Sequence, residues 1–286
     1  MCGSTAARRR YRLTCGDILR CTVCDLIFLS PMPSPDEVRQ VFARLYASGE
    51  GLVPELRSYY QFTFDDSPDN PLVHQYNGWL DAIGRYHTPG TIADVGCGSG
   101  LFLATARQRG WTPFGVDDDA QASAYARSHF GLEVETAEFA EFAGHGRTFD
   151  TVTMWDVIEH ARDPLALLRT ARRTLAPGGL LALATPNVRN ILDVVGGAVY
   201  RASGGRVRRP LETFHVLLHF LYFTPATLRD ALERADFTVV HLEQESTDLR
   251  RVTMPAPVRL GVRALFALAR HTGLQNRLFA LARARD

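Results

Sequence analysis

Lysine is absent: all 32 residues counted as Lys or Arg are arginine, a bias that a GC-rich coding sequence explains. Net charge is also nearly absent. At +1 over 286 residues, no overall field draws the chain to nucleic acid or to a membrane. No unbroken apolar run is long enough to span a bilayer. The N-terminus lacks a basic segment leading into an apolar core, so no signal peptide is expected. Five cysteines, one of them inside a glycine-rich turn, do not make a disulfide framework, and a reducing cytoplasm is the expected compartment. What is present is ordinary for a globular chain: 46% hydrophobic and 22% charged residues, enough for one large domain or one domain with appendages.

A further absence is diagnostic. Ile92-Ala93-Asp94-Val95-Gly96-Cys97-Gly98-Ser99-Gly100 reads as a buried strand, a tight turn and the start of a helix. Glycines there let the backbone approach a ligand and reach positive φ, and the helix start offers unpaired N–H groups. A dinucleotide fingerprint places its third glycine where this chain has Leu101; here it comes one residue early, at Gly100. That argues against NAD or FAD and for another nucleoside.

The next strand, around 111–117, ends in Asp117, 21 residues beyond Gly96. An acid so placed accepts hydrogen bonds from ribose hydroxyls. It also suits a helix N-cap for 120–130, and the two roles are compatible. Phe149-Asp150-Thr151-Val152-Thr153-Met154-Trp155 alternates as a strand, and Asp156-Val157-Ile158-Glu159-His160 follows at its carboxyl end. Then come Asp163-Pro164, Leu175-Ala176-Pro177-Gly178-Gly179, a strand at 180–185, and Thr185-Pro186-Asn187. In this order, on these elements, residues 90–190 resemble class I S-adenosylmethionine-dependent methyltransferases of the small-molecule type.

The resemblance implies an α/β fold: a Rossmann-like, doubly wound, seven-stranded and mostly parallel sheet with a small N-terminal appendage and a helical lid. It implies a methyltransferase moving a methyl group to an O, N or C nucleophile of a small molecule, as in secondary metabolism. The alternatives are a membrane-surface lipid or quinone methyltransferase and a catalytically silent scaffold. The expected cofactor is S-adenosylmethionine. Its site would use Asp94, Gly96, Cys97, Gly98, Gly100, Asp117, Asp118, Glu138, Trp155 and Asp156. Asp94 would orient the methionine end, Asp117 the ribose and Glu138 the adenine, with Trp155 and Asp156 bordering the methyl. Candidate acid–base groups are His219, His160 and Tyr222, with His215 behind them, although each also suits a structural role.

Four segments are expected. Residues 1–35 carry Cys21-Thr22-Val23-Cys24 with Cys2 and Cys15 upstream. They resemble the zinc knuckle preceding some of these enzymes, with Cys2 alone standing for the first pair. Cys2, Cys21 and Cys24 are thus a candidate zinc set, against a relic with free thiols. Residues 36–88 should hold a helix at 36–47, an aromatic group of Tyr59, Tyr60, Phe62 and Phe64 that suits an acceptor pocket or a lid, and a helix at 71–87. The cofactor core spans 89–254, with an acceptor lid inserted at 188–224. Residues 255–286, rich in arginine and split by Gly273, read as two basic amphipathic helices that pack on the domain or on a partner, or touch an anionic membrane. A nucleic-acid partner is supported only by Arg206, Arg208 and Arg209, and is not expected.

Overall fold

A computed structural model describes residues 1–38, 40–41, 61–142 and 146–285. The described elements are β1 (Ala7–Leu13), β2 (Gly16–Cys21), β3 (Ile27–Ser30), α1 (Pro71–Gly84), β4 (Thr91–Val95), α2 (Leu101–Gln108), β5 (Thr112–Asp117), α3 (Ala120–Phe130), β6 (Val134–Thr136) and α4 (Phe139–Phe142). They continue with β7 (Phe149–Trp155), α5 (Pro164–Thr174), β8 (Leu175–Pro186), α6 (Ile191–Ala202), α7 (Arg209–Glu212), β9 (Leu221–Tyr222), α8 (Pro225–Arg234), β10 (Phe237–Glu245), α9 (Ala256–Thr272) and β11 (Arg277–Ala284). The expected helix at 36–47 is helical at 35–38 and 40–41; its remainder, with Tyr59 and Tyr60, lies outside the described residues.

Seven strands form one sheet in the order β6-β5-β4-β7-β8-β11-β10. All pairs from β6 to β8 are parallel, and β11 runs antiparallel to both its neighbours. The chain leaves β4 toward β5 and β6, then returns to build β7 and β8 on the other side. Strand order therefore reverses between β4 and β7, and the crevice at their carboxyl ends is where such sheets bind ligands. Strands buried on both faces need nearly continuous apolar sequence; Leu180, Leu181, Ala182, Leu183 and Ala184 of β8 are all buried. The helices start where their caps dictate. Asn70-Pro71, Asp163-Pro164 and Thr224-Pro225 each place a side-chain acceptor at the N-cap and a proline in the first turn.

One expectation fails at the C-terminus. Only α9 is helical; residues 277–284 are not a second basic helix but β11, inserted between β8 and β10. The sheet thus extends past residue 254 to residue 284. The physical reason is burial: Arg277 through Ala282 are all buried, and a short apolar run carries no period that separates strand from helix. Gly273, with φ +63°, ends α9 in the left-handed conformation and turns the chain back into the sheet.

The N-terminal appendage is a second, antiparallel sheet in the order β1-β2-β3-β9. Its last strand comes from the lid insert: Ile27 pairs with Tyr222 and Phe28 with Leu221. Arg10 and Tyr11 reach Asp193 of α6 at 2.8 and 3.3 Å, and His215 Nε2 donates to the same carboxylate at 3.1 Å. Burial pushes Asp193 up, but the His215 hydrogen bond and the Arg10 charge outweigh it and hold the carboxyl low. The appendage and the lid are one packed unit.

Candidate active site

The site begins at the end of β4. Gly96 turns the chain at φ +68°, and a Cβ there would meet Val157 Cγ2 at 2.9 Å. Gly96 and Cys97 N–H groups both donate to the Val116 carbonyl, which bends the turn over β5. Gly98 N–H donates to Asp117 Oδ2 at 2.7 Å, and Asp119 N–H to Asp117 Oδ1 at 2.9 Å. The helix α3 is capped by Asp119 instead, at 2.9 and 2.8 Å, so Asp117 is left for the cavity. Asp94 is buried and accepts from Thr153 Oγ1 at 2.6 Å.

Among the described residues no cation contacts Asp94 or Asp117. Burial drives Asp94 well above the ordinary carboxylate range, with Asp117 adding to the push. Burial likewise raises Asp117 to about 6, against the pull of the Gly98 and Asp119 amides. Two buried acids without a counter-charge call for a ligand that carries hydroxyl donors and a positive group.

The opposite wall is balanced internally. Asp156, at the end of β7 with φ +57°, meets Arg277 at 2.8 Å, and Arg277 also reaches Glu245 at 3.3 Å. Burial pushes Asp156 up, but the Arg277 guanidinium outweighs it and holds the carboxyl low. Glu245 takes the Trp79 indole N–H at 3.0 Å, and Trp79 stacks on Trp155 with ring centroids 4.3 Å apart. Trp155 Nε1 is buried with no partner among the described residues.

Beyond Asp156 the chain places three titratable groups together. One ligand-type atom from each of Glu159, His160 and His219 lies within 4.8 Å of the others. Burial raises Glu159 to about 8, assisted by Asp156 and opposed by the Thr185 hydroxyl that donates to it at 2.7 Å. Its other oxygen has no partner among the described residues. His160 Nδ1 sits 2.7 Å from the Leu218 carbonyl; a carbonyl only accepts, so Nδ1 carries the proton and Nε2 is the basic nitrogen. Burial lowers His160, while the Leu218 carbonyl and Asp156 oppose it. Burial, then the neighbouring His160, lowers His219 to about 3.

One cavity of about 1310 Å³ joins these walls. It is lined by Asp94, Gly96, Cys97, Gly98, Asp117, Asp118, Glu138, Trp155 and Asp156, and also by His160, His219 and Tyr222. Gly100 does not line it. Its φ of +82° and the Leu132 and Ala126 atoms 2.7 and 2.9 Å from a Cβ built there make it a packing glycine between α2 and α3. The side chain of Cys97 packs against Gly115 in the core. Tyr222 donates to the Val216 carbonyl at 3.4 Å, and burial raises its hydroxyl well above the ordinary range. His215 lines the cavity but is bound to Asp193 as a tie between lid and appendage. Sequence reasoning missed Arg277, which lines the cavity, and its partner Glu245; the signal was an arginine opening a continuous apolar run.

The Cys2, Cys21 and Cys24 sulfurs also lie within 4.8 Å of one another, 3.6 Å separating Cys2 from Cys21. Three thiols at that spacing suit a zinc ion. Burial raises Cys15 to about 11, and its sulfur turns to the His215 carbonyl, outside that set.

A strand–glycine turn–helix, an acid at the end of β5 that meets no cation among the described residues, and a topological switch point fit the class I S-adenosylmethionine-dependent methyltransferase fold. Residues 73–242 match the family described as Methyltransferase domain, and the chain belongs to it. It is 32% identical over 153 residues to a ubiquinone biosynthesis O-methyltransferase of Paraburkholderia xenovorans, an alignment covering 49% of this chain and 65% of that protein. A Caulobacter protein of the same name is 40% identical over 105 residues, covering 34% and 40% of the two chains. The chain thus spans less than two thirds of the length of these relatives. Among solved structures, the magnesium protoporphyrin IX methyltransferase of Synechocystis with bound SAH aligns with a TM-score of 0.54 at 18% identity, covering 86% of this chain and 94% of that one. The 1,6-didemethyltoxoflavin-N1-methyltransferase of Burkholderia thailandensis aligns at 0.53 and 17%, covering 91% and 96%. These structures share the fold.

Proposed function

We propose that this enzyme O-methylates a small ring-bearing acceptor of the quinol or phenol class, and that His160 takes the acceptor's proton. S-adenosylmethionine supplies a methyl group already bonded to a good leaving group. The chain's residues therefore need to hold, align and deprotonate. In this reading Asp117 holds the ribose hydroxyls, Asp94 the amino group, and Glu138, exposed on the rim, the adenine edge. Trp155, on its Trp79 stack, borders the transferring group. The observation that carries the reading is one cavity lined both by the acids Asp94 and Asp117 and by His160, His219 and Tyr222. The names of the two relatives supply the acceptor class.

His160 suits the base role because its tautomer is held by Leu218. His219 has too weak a ring for that task and would position the acceptor. Mass spectrometry of enzyme mixed with cofactor and a panel of catechol-type acceptors should show product with a ring hydroxyl methylated. His160→Gln should lower kcat by about 10²-fold or more. Tight cofactor binding with no product across ring-hydroxyl acceptors would sink the acceptor class, and an unchanged kcat in His160→Gln would remove the base.

A second reading places the reaction at a membrane surface. Leu260 and Leu268 of α9 are 70% and 50% exposed, and Val194, Val195 and Val199 of α6 are exposed as well. Apolar side chains beside arginines are the chemistry of an interfacial helix. Among the described residues no helix is long and apolar enough to cross a membrane.

A further inference from the structure

A second hollow, of about 420 Å³, adjoins the main cavity between the segment after β10 and α9. Thr247, Leu249 and Phe266 line both, so whatever fills the hollow lies beside whatever fills the cavity. Arg250, Arg259, Arg263 and Arg270 line the hollow, against one acid, Asp248. That acid is already committed: Arg250 meets it at 2.6 and 2.9 Å, and it also caps the turn at residues 249–251. Arg259 donates to the Val252 carbonyl at 3.4 Å, which leaves its charge unneutralised.

Arg263 and Arg270 have no partner among the described residues. Elsewhere Arg9, Arg20, Arg109, Arg147 and Arg234 are each paired with an acid. The pattern is a property of the segment. Residues 249–285 contain eight arginines and no Asp or Glu, in a chain whose overall charge is balanced. Separations of four and seven residues bring Arg259, Arg263 and Arg270 within about 40° of one another around α9. A concave surface lined by four arginines, of which only Arg250 meets an acid among the described residues, raises the local concentration of anions and suits the forked recognition of phosphate oxygens.

We infer that this hollow is a subsite for a phosphate-class anionic group that accompanies the acceptor, either as part of a phosphorylated acceptor or as the headgroup of a lipid beside it. The inference rests on the reading of the main cavity as the acceptor's, and its test does not. Inorganic pyrophosphate is titrated into the full chain by calorimetry, and sedimentation is measured with phosphatidylglycerol against phosphatidylcholine vesicles. Cofactor binding is followed in parallel as the check on folding. In the double variant Arg263→Gln/Arg270→Gln, pyrophosphate binding should weaken about tenfold or more while cofactor affinity stays unchanged. If wild type binds phosphatidylglycerol vesicles but not pyrophosphate, and the variant loses the vesicles, the anion is a lipid headgroup. If neither probe binds wild type, or the variant binds both as wild type does, the subsite is overturned. Loss of cofactor binding in wild type would break the functional reading and leave the anion result standing by itself.

Discussion

The two walls of the cavity treat their acids in opposite ways. At the ends of β4 and β5, Asp94 and Asp117 are buried with hydroxyl and amide donors but no cation among the described residues, and both are pushed upward. At the ends of β7 and β11, Asp156 is held low by a guanidinium that also meets Glu245. Among the described residues, the acids of the first wall meet no cation, while Asp156 of the second does. The physical difference is that a buried acid with no counter-charge costs stability, which a ligand's donors and positive charge can recover.

Breaking the second wall should give the largest effect on stability. Arg277→Met strands Asp156 and Glu245 and should cost about 3 kcal/mol by urea denaturation. Adding Asp156→Asn should recover part of that loss, and equal losses in the single and double variants would dissolve the distinction between the walls.

On the first wall, Asp117→Ala should weaken cofactor binding about 10- to 100-fold by calorimetry with little loss of fold. Unchanged affinity would remove the cofactor pose. The same acid sets a pH dependence. In the proposed pose, in which ribose hydroxyls donate to this carboxylate, affinity should hold above pH 6 and decline as pH falls through about 6. In the absence of ligand the sign reverses. A carboxyl raised from 3.8 to about 6 in the folded chain loses stability as pH climbs between those values.

A smaller effect belongs to Glu159, raised from 4.5 to about 8. The folded state keeps this proton longer than the unfolded chain, so its stabilisation is present below pH 4.5 and is lost as pH rises through 8. Glu159→Gln keeps an acceptor for Thr185 and removes the titration. Its melting temperature should match wild type near pH 5 and exceed it at pH 9, by the equivalent of about 1–3 kcal/mol. Parallel pH profiles would show that Glu159 is ionised in the fold.

How much of this was legible varies by element. The turn at Gly96, Asp117 at the end of β5 and the run from 149 to 160 were readable because local steric and hydrogen-bonding demands write themselves into contiguous residues. The arginines of 255–286 were counted, yet their role was misread. Arg277 looked like one more charge on a basic helix, and its partners lie at 156 and 245, more than 30 residues away in sequence. Gly100 was read as a ligand glycine, while its neighbours Leu132 and Ala126 show a packing constraint that no local pattern announces.

The amino-acid order by itself determined the sheet's first half, the glycine turn, the helix caps and the acid at 117, since each follows from backbone sterics, capping and side-chain period over a few residues. Tertiary structure alone decided that β11 enters between β8 and β10, that β9 joins the lid to the N-terminal sheet, and that Arg277 neutralises Asp156. Those outcomes depend on burial and on charges meeting across long stretches of chain, and neither leaves a period in the sequence.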